Sequence, residues 1–156
     1  MGISKEINQT NFRSENHKAM VNIIFSSNWL TERIKNFLEK EDITHQQYNI
    51  LRILKGSGIP VSTLQIRERM IDKMSDTSRI VERLLKKDLA HKVVCLHDKR
   101  LVDVTITQKG LLLLERLETN IKEMDSLVAG LNEKEAEALN ELLDKMRDQV
   151  PLASRN

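Results

Sequence analysis

Residues 97–110, HDKRLVDVTITQKG, place four charged or ionisable residues directly before a strictly alternating stretch. In that stretch Val102, Val104 and Ile106 are separated by polar residues, which is the period of a half-buried β-strand. The preceding segment LAHKVVCL has the composition of a second strand. The pattern therefore predicts a β-hairpin whose tip, residues 97–100, is basic.

The rest of the chain favours helices. The whole chain has 156 residues, about the size of one domain, and is 31% charged with only five Gly and two Pro. No apolar run approaches the roughly 20 residues of a membrane span, and the N-terminus lacks a hydrophobic signal region. A single cysteine, Cys95, suits a reducing compartment. We therefore expect a cytoplasmic protein that is mainly α with a small β-hairpin.

Capping signals divide the helical part. After a polar tail over residues 1–16, we predict helices over residues 17–38, 44–55, 62–70 and 72–87, the second and third opened by capping boxes. Behind the hairpin, Thr107 opens a helix of about 22 residues, with Gly110 allowing another element to pack closely. Asn132 and Glu135 open the last helix.

The charge is unevenly distributed, although the net charge is only +2. Residues 61–110 hold eleven Lys or Arg against seven Asp or Glu, and the remaining residues hold fourteen against sixteen. The helix at residues 72–87 has an apolar face, and its opposite face is small and polar at first and basic beyond. A helix-turn-helix followed by a charged hairpin is the winged-helix arrangement, which suits duplex DNA.

The chain resembles the MarR family of transcriptional regulators. The resemblance rests on STLQIRERM, SDTSRIVERLLKKDL and HDKRLVDVTITQKG, and it covers about residues 20–150. It implies a winged helix-turn-helix (residues 44–107) flanked by long N- and C-terminal dimerisation helices (residues 17–40 and 108–150) in a single unit of residues 17–150, with a tail at 151–156. It also implies a homodimeric repressor that binds a palindromic double-stranded operator and is released by a small lipophilic or aromatic ligand.

The resemblance assigns Arg100 to the minor groove, with Asp98 as the brace of the wing. The full set of expected DNA-binding residues is Ser75, Asp76, Ser78, Arg79, Arg83, Lys86, Lys99 and Arg100. Two positions depart from the family pattern. Asp88 stands where Gly is common, and because Asp adopts a left-handed conformation less readily than Gly, the geometry of the helix-to-strand turn is in question. Lys92 stands where Arg is common, and it keeps the charge but lacks the planar guanidinium.

The spacing of the apolar residues behind the wing is that of a coiled-coil seam, which predicts dimerisation. The residues expected at the dimer interface are Leu114, Leu117, Ile121, Met124, Val128, Leu139, Leu142, Leu143 and Met146. The alternative is that the seam packs within one chain. A ligand pocket is expected near Ile24, Trp29, Tyr48 and Leu51.

Other functions remain as alternatives at this point. The winged helix could be a protein-interaction module, or Cys95 could make the regulator redox- or metal-responsive. His91, Cys95 and His97 share one side of a strand but span about 13 Å, too far for one zinc ion without a bend. We expect no metal and no cofactor. The sequence has no phosphate-binding Gly-rich loop, nucleophile elbow or paired-His motif, so we expect no enzyme.

Overall fold

The computed structural model describes residues 2–94 and 102–148. The α-helices are α1 (Ile3–Glu6), α2 (Glu15–Glu39), α3 (His45–Ser57), α4 (Thr63–Arg69), α5 (Thr77–Lys86), α6 (Gln108–Thr119), α7 (Ile121–Asp125) and α8 (Glu133–Asp148). The strands are β1 (Val61–Ser62), β2 (Ala90–Val94) and β3 (Val102–Ile106), and a 3₁₀ turn spans Ser126–Val128. The mainly helical fold with a small sheet confirms the predicted class.

The sheet has the strand order β1-β3-β2, and both pairings are antiparallel. The predicted hairpin is confirmed, since Ala90 pairs with Ile106 and Val94 pairs with Val102. Strand β1 was not predicted. It contributes Val61 opposite Val104, and two residues are too few to show a period in the sequence.

Residues 2–120 form one compact unit, and residues 121–148 belong to a second. Helix α3 lies at the centre of the first unit, because Ile50 and Leu51 on it are fully buried. Each neighbouring element adds buried side chains to this core: Phe37, Leu38, Ile66, Met70, Val81, Leu84, Val104, Leu114 and Leu117. The second unit holds α7, the 3₁₀ turn and α8.

The helix predicted to run about 22 residues from Thr107 is wrong in its length. Helix α6 ends at Thr119, and α7 begins after Asn120. The Thr119 hydroxyl donates to the Glu115 carbonyl (2.9 Å), and the Asn120 side-chain amide donates to the Arg116 carbonyl (3.5 Å). Such side chains compete with the helical backbone for its carbonyls, which explains the break.

Gly110 joins the wing to α6, as predicted, at a point of close approach. A Cβ at this position would lie 2.4 Å from the Leu89 carbonyl oxygen and 2.7 Å from Cγ1 of Ile106. The Leu89 carbonyl is itself held, because it accepts the Thr107 N–H at 3.1 Å. Thr107 caps α6 by accepting the Gly110 N–H at 3.0 Å. The crowding around the Cβ position therefore favours glycine at the point where β3, α6 and the α5–β2 turn meet.

None of the helices in the described part of the chain is both long enough and apolar enough to cross a membrane.

Candidate nucleic-acid interface

The turn between α4 and α5 positions the start of the candidate recognition helix. Helix α5 was predicted to begin at Asp72, but it begins at Thr77, and its N-cap is Asp76, which accepts the Arg79 N–H at 3.1 Å. Asp72 instead accepts the Met74 N–H at 3.1 Å, and its carbonyl accepts the Ser75 hydroxyl at 2.8 Å. The Asp72 side chain is therefore used inside the turn and cannot cap the helix.

The same turn is tied to the core beneath it. The Asn49 side chain on α3 accepts the Ile71 N–H at 2.9 Å. The buried sulfur of Met70 accepts the Thr77 hydroxyl at 3.4 Å, and the Ser75 hydroxyl oxygen lies 3.6 Å from the same sulfur. These contacts connect α3, α4 and α5, so the backbone that precedes α5 is held in one conformation.

Helix α5 has one buried and one exposed face. Thr77, Val81 and Leu84 are buried against the core, at 4% exposure or less. The outward face has small polar residues at its N-terminal end and cations further on: Ser78, Arg79, Glu82, Arg83 and Lys86. The ion pair between Arg79 and Asp76 is long (Nε to Oδ2 3.9 Å) and exposed, so it is weak and leaves the guanidinium able to meet another anion.

A shallow cleft of about 460 Å³ lies between the starts of α4 and α5. Thr63, Leu64 and Arg67 line it from α4, and residues Ser75, Asp76, Thr77 and Ser78 line it from the other side. Arg67 is a member of this surface that the sequence did not single out. Only its helical spacing from Thr63 and Leu64 could have indicated it.

The C-terminal end of α5 settles the question raised by Asp88. Asp88 adopts a left-handed conformation, with φ of 55°. The Leu89 N–H donates to the Leu84 carbonyl (3.0 Å), and the Asp88 N–H donates to the Leu85 carbonyl (3.0 Å), which is the Schellman pattern. Asp therefore occupies the position that favours Gly, and the turn keeps its geometry.

A second turn of this kind lies beside the first. In the turn that follows α2, Asp42 is left-handed (φ 53°), and the Ile43 N–H donates to the Leu38 carbonyl. Lys87, at the end of α5, contacts the Asp42 carboxylate with its ammonium (3.0 Å) and also donates to the Asp42 carbonyl. The Lys87 carbonyl in turn accepts the Lys109 ammonium at 2.7 Å, which links this corner to α6.

Electrostatic contacts also hold α6 against the rest of the first unit. Arg116 pairs with Glu41 through two nitrogens, and the shorter contact is 2.8 Å. Glu118 accepts the Lys55 ammonium at 2.9 Å, and this hydrogen bond lowers the pKa of the Glu118 carboxyl below its usual range. Near the turn between α4 and α5, partial burial lowers the pKa of His45, and the nearby Asp72 opposes that shift.

The wing is described only as far as its strands. Val94 and Val102 pair at the end nearest the tip and are 60% and 48% exposed. His91 and Lys92 are both exposed on β2. The predicted wing residues Asp98, Lys99 and Arg100 lie outside the described residues, as do Cys95 and His97.

The residues expected at the dimer interface fall into two groups. Leu114 and Leu117 are 0% and 3% exposed within the single chain. They belong to its own core and offer no surface to a partner, as the within-chain alternative anticipated. By contrast, large apolar side chains are exposed on α2, near Val128 and on α8: Met20, Ile23, Ile24, Val128, Leu131, Leu139, Leu142 and Met146. Ile121, Met124 and Leu143 are half-buried.

The residues expected to line a ligand pocket differ in accessibility. Leu51 is fully buried, and Tyr48 is 9% exposed with its hydroxyl 3.5 Å from an Arg52 nitrogen. Ile24 is 55% exposed on α2, and Trp29 carries the Arg33 guanidinium 4.6 Å above its ring. The pocket remains a prediction.

The comparisons with known proteins agree with this geometry. No family model matches the sequence. The HTH-type transcriptional repressor IacR of Pseudomonas putida is 29% identical over 115 residues, 73% of this chain and 68% of that protein.

Two solved structures have the same fold. A mutant MarR from E. coli, complexed with operator DNA, superposes with a TM-score of 0.76 at 19% identity, over 88% of this chain and 99% of that one. The organohalide-sensing transcriptional regulator RdhR in its 2,4-dichlorophenol-bound form has a TM-score of 0.78 at 20% identity, over 91% of this chain and 87% of that one. The chain is a winged helix-turn-helix protein with the fold of the MarR-family transcription regulators.

Proposed function

We propose that this protein is a sequence-specific, double-stranded DNA-binding transcriptional regulator, a homodimeric repressor that acts in the cytoplasm and catalyses no reaction. The observation that carries the proposal is the two-faced helix α5. Its inner face is buried in the core, and its outer face presents hydroxyls and cations on a backbone fixed at both ends. Helices of this width fit the major groove, where the N-terminal residues of a recognition helix meet base edges.

The proposed roles follow the order of the side chains from the turn before α5 to the C-terminal end of the helix. Ser75, Asp76 and Ser78 are short, so they allow the helix start to approach the base edges closely. Arg79 is placed to meet guanine or phosphate. Further along, Arg83 and Lys86 contribute phosphate contacts. The resemblance to the family adds the wing, in which Lys99 and Arg100 contact DNA and Asp98 braces the tip.

The homodimer is proposed from the apolar side chains that one chain leaves in solvent. Ile24 on α2 is 55% exposed and Leu142 on α8 is 64% exposed, and neighbours on the same helices are exposed as well. Apolar patches of this kind on a soluble chain mark interaction surfaces. A two-fold dimer built from residues 17–40 and 108–150 would carry two lobes, each over residues 44–107, onto the two half-sites of a palindrome.

Control by a small lipophilic or aromatic ligand is the least direct part of the proposal. It is supported by the family resemblance and by the relative that has 2,4-dichlorophenol bound. The sole tryptophan, Trp29, lies among the residues proposed to line the pocket, so substituted phenols that bind there should quench its fluorescence. If saturating phenols change neither the fluorescence nor the DNA affinity, the proposed control by a ligand bound near Trp29 is refuted.

The decisive experiment is fluorescence anisotropy of the full-length protein with duplexes from its own upstream region. Wild-type affinity should fall steeply with salt, because Lys and Arg displace counterions from phosphates. We expect Arg79→Ala and Arg100→Ala each to weaken binding by about 1 to 3 kcal/mol. Lys134→Ala, an exposed cation on α8, is the matched control and should bind like wild type. If the wild type binds no duplex, the protein-interaction alternative replaces this proposal.

A further inference from the structure

Met74 is an exposed apolar residue next to the proposed DNA-binding face of α5. It is 86% exposed, the highest value among the large apolar side chains of the described residues, and it lies in the turn that leads into α5. A single exposed apolar side chain is ordinary, so the exposure alone carries no inference. Met74 is distinguished by its position before α5 and by the hydrogen bonds of the turn around it.

Met74 and the residues on both sides of it make hydrogen bonds within and next to the turn. Its own N–H donates to Asp72 Oδ1 at 3.1 Å, and the next residue, Ser75, donates its hydroxyl to the Asp72 carbonyl at 2.8 Å. On the other side, the Lys73 ammonium donates to the Glu68 carbonyl at 2.6 Å. The turn therefore folds around the two bonds to Asp72, and the Met74 side chain is left in solvent.

The residues that follow Met74 are polar. Ser75, Asp76 and Ser78 surround the start of α5, and Arg79 completes the first turn of exposed groups. Their hydroxyl, carboxylate and guanidinium groups recognise hydrogen-bonding groups on base edges and phosphates. The one apolar group that a base pair presents in the major groove is the C5-methyl of thymine, and it is read by an apolar side chain. Two large apolar side chains of the α4–α5 turn are exposed, Ile71 (73%) and Met74 (86%), and Met74 is the one directly next to these polar groups.

We propose that Met74 is a specificity-determining residue that contacts the C5-methyl of a thymine in each half-site. The inference rests on the proposed DNA-binding function and deepens it, because it names one base feature that the protein reads. The unbranched thioether side chain can adapt to the methyl group, and its polarizable sulfur adds dispersion contacts. Burial of one methyl group favours thymine over deoxyuridine by about fourfold.

The test uses a duplex selected by the full-length wild-type protein from a randomised library. Each thymine is replaced in turn by deoxyuridine, which removes only the methyl group and leaves the base pairing unchanged. We expect one thymine per half-site at which deoxyuridine weakens wild-type binding about fourfold. Met74→Ala removes the contact from both half-sites, so it should bind the thymine duplex about sixteenfold more weakly and should no longer distinguish thymine from deoxyuridine at either position.

Two variants make the result specific to the apolar contact. Met74→Gln has a similar length but a polar end, and it should lose the discrimination. Ile59→Ala removes another exposed apolar side chain (67% exposed) from the turn before β1, and it should keep both affinity and discrimination. The proposal is overturned if Met74→Ala discriminates as wild type does, or if no thymine methyl affects wild-type binding. A wild type that selects no duplex refutes the DNA-binding function itself.

Discussion

Replacement of Gly110 by alanine should destabilise the protein, although alanine is the better helix former. The added methyl would lie 2.4 Å from the Leu89 carbonyl oxygen and 2.7 Å from a side-chain carbon of Ile106. The carbonyl cannot retreat freely, because it accepts the Thr107 N–H. We therefore place the overpacking cost at the upper end of its usual range, about 3 kcal/mol. The helical preference of alanine returns about 1 kcal/mol, which leaves a net loss of about 2 kcal/mol.

The assay is urea unfolding at one fixed protein concentration, because association makes the apparent stability concentration-dependent. The midpoint should fall with little change in the denaturant slope, and the thermal midpoint should drop by about 4 to 8 °C. Gly56→Ala is the matched control. Position 56 is helical, and its added Cβ would have no neighbour within 4 Å, so this variant should gain about 0.5 to 1 kcal/mol.

A third glycine separates steric crowding from backbone conformation. Gly58 has open space around its Cβ position but a φ of 65°, so Gly58→Ala should lose about 1 kcal/mol through strain alone. The reasoning fails if Gly110→Ala is as stable as wild type. It also fails if the three variants behave alike, because the structure assigns a different physical cause to each.

Three further results are expected. Asp88→Gly should raise the free energy of unfolding by about 0.5 to 1 kcal/mol in thermal melts, since glycine accepts the left-handed φ of 55° without strain. Because its folded pKa is depressed, Glu118 stabilises the fold above its ordinary pKa of 4.5, and this contribution is lost as the pH falls through the lower folded value. In urea titrations at pH 7 and pH 3, Glu118→Gln should therefore differ from wild type more at the higher pH than at the lower. The pKa of His45 should lie below its ordinary 6.5 by NMR, and Asp72→Asn should lower it further. As the pH falls below 6.5, wild-type stability should decline more steeply than that of His45→Gln.

Capping signals explain why much of the helical framework could be predicted. Thr44 with Gln47 and Ser62 with Gln65 form capping boxes in the structure, as the spacing indicated, and Asn132 with Glu135 opens α8. The alternation around Val104 likewise predicted β3 and its burial. These features are local, because the hydrogen-bonding partners or the repeating residues lie within a few positions of one another.

The failures have non-local or competing causes. The start of α5 was placed at Asp72 because that residue is a good cap, but the Met74 N–H and the Ser75 hydroxyl already bind to Asp72 within the turn. Strand β1 exists only because β3 offers it an edge, which no short sequence window can show. The apolar spacing at Leu114 and Leu117 was correct as a periodicity, but periodicity does not reveal whether the partner surface belongs to the same chain.

The contact between Lys87 and Asp42 has a mechanical consequence. One lysine joins the last residues of α5 to the turn that ends α2, while its carbonyl holds a lysine from the first turn of α6. The opposite end of α5 is tied to α3 by way of Asn49 and the turn. Both ends of α5 are therefore anchored to other helices, the C-terminal end to α2 and α6 and the N-terminal end to α3, so its orientation depends on three neighbours that lie far from it in sequence.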